Sequence, residues 1–473
     1  MFLDMDNYYT NRRDFFSGIA AASLGVLTEN LISSKNAMAN WGLIAPGAVP
    51  DENFDGRSLV NKPRAYEIMD RENIDAIVAL NPVNVFYLGN YFSYELQKLR
   101  AIPSFAVMPR DENKPIILII SSSDLWFIAN GDREYPEIIP YSAPQSWEQY
   151  HDPEIWSQEP EALQGMRNFP QISQLTEIEK GWLEIENRFK NTKSPTPEWA
   201  LVKALKESGV INGRIAVDDM RIKEILNTLD VSSIECLPGD NTFRKIRMVK
   251  SEVELKHMRT IAKANQKACM AMLSKIEIGM DKNEIDKMFL VETAKNHAKA
   301  MWLAIGTIGG FIDGKVVEGR PMMVDAVSQI NFYHGDFGRT WCIGEPRKDL
   351  LDRVKILKAG AEVAHNYIKP GVKYSELRKH VSEAIAKINT APSGTIFGPS
   401  PHSVGLQHTD QPYRDGLPFQ VNDDLEFEEN MTLTVDMPSL EPGWGGAHLE
   451  DLIVVKKNGI EPLSEIDNPL VII

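Results

Sequence analysis

The chain is 473 residues long, with 43% hydrophobic and 25% charged residues, the balance of a soluble globular protein with room for two domains. A formal net charge of −15 speaks against nucleic acid or an anionic membrane surface as the main partner, because both reward clustered Lys and Arg. Cys236, Cys269 and Cys342 make neither a disulfide framework nor a zinc-ligand spacing, and read as buried small hydrophobes.

The first element is "NRRDFFSGIAAASLGVL", in which Arg12 and Arg13 precede a weakly apolar stretch, followed by Ala37-Met38-Ala39. The stretch falls short of the roughly 20 residues that span a bilayer. It resembles a twin-arginine signal with a small-x-small cleavage site. Residues 1–39 are therefore expected to be a signal peptide and the mature protein periplasmic or otherwise exported, with no membrane span after processing. Residues 40–57, rich in Pro, Gly and Asn, read as an irregular arm.

From 58 to 243 helical and strand patterns alternate. Buried strands are expected at 75–81, 104–109, 115–121 and 214–219, and helices at 60–72, 196–207 and 220–229. The alternation predicts an α/β domain. The stretch 142–172 has weak periodicity and reads as an insertion. A second domain, 244–473, opens at Ser251, an N-cap whose partner Glu254 completes a capping box. A long helix to Gly279, a helix over 281–299 and a strand pair follow. The order then repeats, with helices at 348–367 and 374–389 and strands at 431–437 and 447–456. Two helix-helix-strand-strand halves suggest a duplicated α+β architecture.

This second domain gathers carboxylates at strand ends and turns. Asp325 and Asp336 lie eleven positions apart in "VDAVSQINFYHGDFGRT". Asp436 ends a later apolar strand, Glu450 lies in the strand after it, and "PHSVGLQHTDQP" supplies His402 and His408. Each residue alone is most simply a turn or strand residue. Together, four carboxylates and an imidazole repel unless cations neutralise them. Oxygen-rich sets with one imidazole suit Mn²⁺, Fe²⁺, Co²⁺ or Zn²⁺, and a pair of such ions can activate water.

On these motifs residues 250–460 resemble the aminopeptidase P, prolidase and creatinase family. The points of likeness are "IRMVKSEVELKHMRTIAKAN", the Asp-x10-Asp spacing with Tyr333 and "DFGRT", "HSVGLQH", and "GGAHLEDLIVVKKNG". More weakly, "NPVNVFYLGNYFS" resembles the creatinase-type N-terminal domain. The resemblance implies a creatinase-like α/β domain followed by a pita-bread catalytic domain, and two divalent ions, manganese first, with Co, Zn or Fe as alternatives. It implies that Asp325 binds one ion, that Asp336 and Glu450 bridge, and that His402 and Asp436 hold the second. Asp436 and His408 would be catalytic, and Tyr333, Arg339 and His448 would support the ligands or the substrate. A small peptide or small-molecule substrate and a homodimer follow from the same likeness.

Two departures stand out. Asp436 occupies a position where the family has glutamate, which shortens the reach by one methylene. The loop 303–321 lacks the family's substrate-binding histidine; Asp313 there reads as a solvated loop residue. The leading expectation is an exported Xaa-Pro peptidase using metal-activated water. A non-peptide C–N hydrolase or lyase on the same fold and a non-catalytic metal-binding relative remain open.

Overall fold

The structure is a computed structural model describing residues 55–92, 102–129, 131, 133–150, 153–164, 169–466 and 468–473. The expected signal peptide, and all of the expected arm except residues 55–57, lie outside the described residues.

The N-terminal part forms a six-stranded sheet from β1 Ala76–Ala79, β2 Phe105–Pro109, β3 Ile117–Ser121, β4 Glu137–Tyr141, β5 Gly213–Val217 and β6 Ile234–Pro238. The order is β4-β3-β2-β1-β5-β6. The pairs β1–β2 and β2–β3 are antiparallel, and the other three are parallel. Both faces of the sheet are covered, which is why its central strands read as unbroken apolar runs. Ile77, Met108 and Leu118 pack with Ile68, Met69 and Phe86 on one side. Val78, Val107 and Ile119 pack with Leu201, Leu205 and Leu226 on the other.

Several elements of this part have no counterpart in the sequence reading, among them the helices Glu177–Arg188 and Asp240–Arg247. The helix Pro82–Gly89 is buried over most of its length, so no polar face gives it a helical period. Its start is marked only by Asn81, whose side chain accepts from Val83 N at 3.0 Å, and by a proline in the first turn. Strands β4 and β6 are five-residue segments and were likewise unread. Residues 142–172, where described, contain one-turn helical pieces and an isolated bridge between Pro144 and Ala162.

The capping box at Ser251 is present. Ser251 Oγ accepts from Glu254 N at 3.2 Å, and a Glu254 carboxylate oxygen accepts from Ser251 N at 2.9 Å, opening the helix Glu252–Leu273. The next helix, Lys282–Lys295, ends earlier than its pattern suggested. His297 takes a positive φ of 59° and the chain turns into a strand at Lys299.

The second sheet contains β7 Lys299–Gly306, β8 Met322–Ile330, β9 Tyr333–Cys342, β10 Ser400–Ser403, β13 Thr432–Glu441 and β14 Gly445–Lys456. A small hairpin, β11 Tyr413–Arg414 with β12 Leu417–Val421, stands apart, while β15 Gly459–Pro462 and β16 Leu470–Ile472 add to β14 and β9. The main order, β10-β13-β14-β9-β8-β7, gives the duplication a spatial form. Each half follows two helices with three strands, and the halves join where β9 meets β14. Helices cover one face. Glu252–Leu273 packs Cys269 and Met272 against Phe337 and Val324, and Lys348–Tyr367 packs Leu357 and Ala361 against Val435 and Leu449. The other face is left for side chains of opposite parity. All three cysteines are buried and free.

Candidate metal centre

Register decides which residues meet. Across the second sheet, Ala304 pairs with Asp325, Asp325 with Gly338, Gly338 with Glu450, Glu450 with Asp436, and Asp436 with Ser400. Asp325, Glu450 and Asp436 therefore stand in one row on four adjacent strands, with Gly338 between the first two. Side chains two residues along a strand share a face. That places Asp336 beside Gly338, His448 beside Glu450 and His402 beside Ser400, all on the helix-free face. His408 arrives on the loop after β10.

Two groups of ligand atoms come within 4.8 Å of one another: Asp336, His402 and His408, and Asp325, His448 and Glu450. His408 Nε2 lies 3.0 Å from Asp336 Oδ2. His402 Nε2 lies 3.8 Å from both Asp336 Oδ2 and Glu450 Oε1, linking the groups. His448 Nε2 is 2.6 Å from Asp436 Oδ1 and 3.8 Å from Glu450 Oε2. Asp336, Glu450 and His448 are buried, whereas Asp325, His402, His408 and Asp436 are partly exposed. The cluster thus has a dry floor and an open rim.

The electrostatics are those of charges crowded without compensation. Burial, with Asp336, Asp436 and Asp325 nearby, drives the Glu450 carboxyl well above the ordinary range. Burial pushes Asp325 up to about 7, opposed by His448 and reinforced by Asp336 and Asp436. Burial also opposes charge on Asp336, but His408, His402 and His448 outweigh it and hold that carboxyl low. For His448 burial is overcome by the contact with Asp436, which lifts the imidazole to about 9.

These residues fit divalent cations. Asp325 Oδ1 and Asp336 Oδ1 are buried with no hydrogen-bond partner, a costly state unless an ion takes up their lone pairs. The space is built into the backbone as well. A Cβ on Gly338 would come within 2.4 Å of the His448 ring and 2.8 Å of Glu450 Cβ. Oxygen and imidazole donors in this mixture suit Mn²⁺, Fe²⁺, Co²⁺ or Zn²⁺.

Not every expected residue reaches this face. Tyr333 is three residues from Asp336, so its ring turns to the helices; its hydroxyl donates to Glu254 Oε1 at 3.3 Å and its ring stacks on His257. The expectation that Tyr333 touches ligands or substrate is corrected by that odd offset. Arg339 is likewise on the helix side, where it donates to the carbonyls of Gly338 and Glu450 at 2.8 and 2.9 Å and pairs with Asp451 at 2.8 Å. It braces β9 against β14 and contacts no ligand side chain. Asp313 pairs with Arg320 in the loop before β8, in keeping with a surface role.

Sequence reasoning missed the support of the His408 loop. Arg247 donates to Gln407 Oε1 at 2.6 Å and to Asp410 Oδ1 at 2.7 Å, and also to Asn84 Oδ1. Arg244 donates to the carbonyls of Thr409 and Gln411 at 2.9 and 3.2 Å. The helix Asp240–Arg247 thereby clamps residues 407–411 to the N-terminal part. Asp410, two residues beyond His408, was the visible signal.

Residues 256–457 match metallopeptidase family M24. The chain is 25% identical over 242 residues to the Xaa-Pro dipeptidase of Pyrococcus horikoshii, covering 49% of this chain and 67% of that protein. It is 22% identical over 265 residues to the probable dipeptidase PepE of Mycobacterium tuberculosis, covering 54% and 69%. In structure it is similar to a dipeptidase of Pyrococcus horikoshii OT3, with a TM-score of 0.61 and 17% identity over 87% of this chain and 99% of that one. The fold is thus an α/β domain followed by a pita-bread domain. Residues 256–457 thus match metallopeptidase family M24, and the chain resembles the aminopeptidase P- and prolidase-like hydrolases of that family.

Proposed function

We propose that this protein is an exported dinuclear-metal Xaa-Pro dipeptidase or aminopeptidase that cleaves the bond before proline. The observation that carries the reading is the meeting of Asp325, Asp336, Asp436, Glu450, His402 and His408 on one face of an M24 domain. Asp325, Asp336, His402 and Glu450 hold the ions, and Asp436 reaches toward them from the rim. Manganese is the first expectation. Bound ions of this kind supply Lewis acidity to a scissile carbonyl and acidify an attacking water.

The chain's own residues do the remainder. His408, on the exposed rim, is placed to donate to the substrate carbonyl oxygen, with Asp336 at 3.0 Å raising its imidazole against the effect of burial. Asp436, partly exposed, takes the proton of the attacking water and returns it to the leaving nitrogen. General acid–base help of this sort is worth about 100- to 10,000-fold. The buried floor of Asp336, His448 and Glu450 excludes bulk water from the ligand side. Export rests on Arg12 and Arg13, and a homodimer rests on the family likeness.

The test is a metal count on purified protein together with a dipeptide screen. The reading expects close to two ions and turnover confined to Xaa-Pro substrates. A second reading, a hydrolase or lyase acting on a non-peptide C–N bond, is favoured by one observation. The loop 303–321 has no histidine, and its Asp313 is taken up by Arg320. Two ions without Xaa-Pro turnover would select that reading.

A further inference from the structure

His448 is buried and projects from β14 on the same face as Glu450, two residues along. Its Nδ1 lies 3.2 Å from the carbonyl oxygen of Val324. A carbonyl only accepts, so Nδ1 carries a proton, and in the neutral ring Nε2 carries the lone pair. As the ring stands, Nε2 donates a second proton to Asp436 Oδ1 at 2.6 Å; a cation would displace that proton and take the lone pair, with Glu450 Oε2 3.8 Å away and an Asp325 oxygen inside the same 4.8 Å group. A ring whose second nitrogen is tied to a backbone carbonyl is the arrangement by which metal-binding histidines are fixed in tautomer and direction.

We propose that His448 is itself a metal ligand, giving Nε2 to the ion held by Asp325 and Glu450; this deepens the dinuclear reading above and rests on it. The alternative is that the ring is a structural imidazolium neutralising Asp436. That arrangement leaves Asp325 Oδ1 buried and without a partner, whereas a shared cation engages it. Gly338 supports the assignment, since any side chain there would occupy the volume of the ring. Asp436 supports it too. The residue at that position is one methylene shorter than the family glutamate, and an imidazole nitrogen stands in the space beside it.

The test uses the full chain loaded with Co²⁺. A ligating imidazole shows an N–H proton resonance shifted far outside the diamagnetic range. For His448 this proton is buried on Val324, should persist after transfer to deuterated water, and is told from the equally buried Nδ1 proton of His402 by its through-space coupling to Val324, while the proton of the more exposed His408 exchanges. Wild-type protein is expected to bind two ions and to show the protected, shifted resonance. His448→Gln should lose it and take up one ion in equilibrium dialysis. Two ions without the protected resonance in the wild type overturn the assignment and leave the dinuclear reading standing, and this arm needs no variant to fold. Two ions in His448→Gln with affinity within about 10-fold of wild type, less than the loss of even a supporting residue, overturn it as well. Wild-type protein that binds no ion overturns both readings.

Discussion

Arg247 and Asp410 form an ion pair that solvent does not reach, with Nη2 2.7 Å from Oδ1. Lys250 stands 3.9 Å from the other carboxylate oxygen. Burial works against the charge on Asp410, yet Arg247 and Lys250 hold its carboxyl below the usual range. Asn84 extends the pair into the N-terminal part, where its amide donates to Asp218 at 2.9 Å. The N-terminal part thus reaches the loop carrying His408 through side chains. Replacing Arg247 by Met leaves the Asp410 carboxylate without its closest partner. Breaking a buried pair this way costs about 3–5 kcal/mol. Denaturant unfolding should show a loss of that size, and the double variant Arg247→Met/Asp410→Asn should recover part of it. A single variant as stable as wild type would remove the pair from the support of the loop.

Gly338→Ala isolates the space requirement of the cluster. The backbone at 338 is not in the left-handed region, so the conformation itself does not oppose alanine. The collision with His448 and Glu450 does, and overpacking of this kind costs about 1–3 kcal/mol. Metal uptake should fall more steeply than stability, because both displaced side chains belong to the cluster. Normal uptake, measured by dialysis, would mean that the ring and the carboxylate can retreat without consequence.

Asp336→Ala should remove most bound metal and all turnover. Asp336 sits against both His408 and His402, so its loss weakens every contact of one ligand group. The helix-packed face has its own apolar core, and circular dichroism of the variant should match wild type. Retention of two ions would show that Asp336 does not bridge.

Chelator-stripped protein should lose thermal stability as the pH rises from 7 to 9. Asp325 is raised to about 7, Glu450 is raised as well, and His448 is raised to about 9. A group whose folded value lies above its unfolded one contributes stability that is complete below the unfolded value and lost as pH climbs through the folded one. Divalent ions compete with those same protons, so added Mn²⁺ should flatten the decline, and binding should release protons when followed in two buffers of different ionisation enthalpy. A stripped protein with the same melting temperature at both pH values would contradict the crowding of carboxylates on this face.

Replacing Arg12 and Arg13 by Lys should leave unprocessed precursor in the cytoplasm, measured by fractionation and by the size of the product. The paired arginines ahead of a weak apolar stretch motivate this. Unchanged processing and location would dismiss the twin-arginine reading.

The sequence by itself determined the alternation of α and β, the capping box at Ser251 and the doubled order of the second half, and it named Asp325, Asp336, His402, His408, Asp436 and Glu450 as candidates. Those features are local. A cap needs residues three apart, a strand needs a short apolar run, and a family motif sits within a few residues of itself. The sequence could not determine which side chains meet across strands, because that depends on register. Asp325, Gly338, Glu450 and Asp436 form one row only after four strands from two halves have paired. Tyr333 and Arg339 read as neighbours of Asp336 in the chain, yet an odd offset turns both to the helices. His448 read as an accessory residue, and it became part of the ligand floor because Gly338 on the facing strand leaves room for its ring. The Arg247–Asp410 pair joins residues 163 positions apart, and only the docking of the helix Asp240–Arg247 on the His408 loop brings those two charges together.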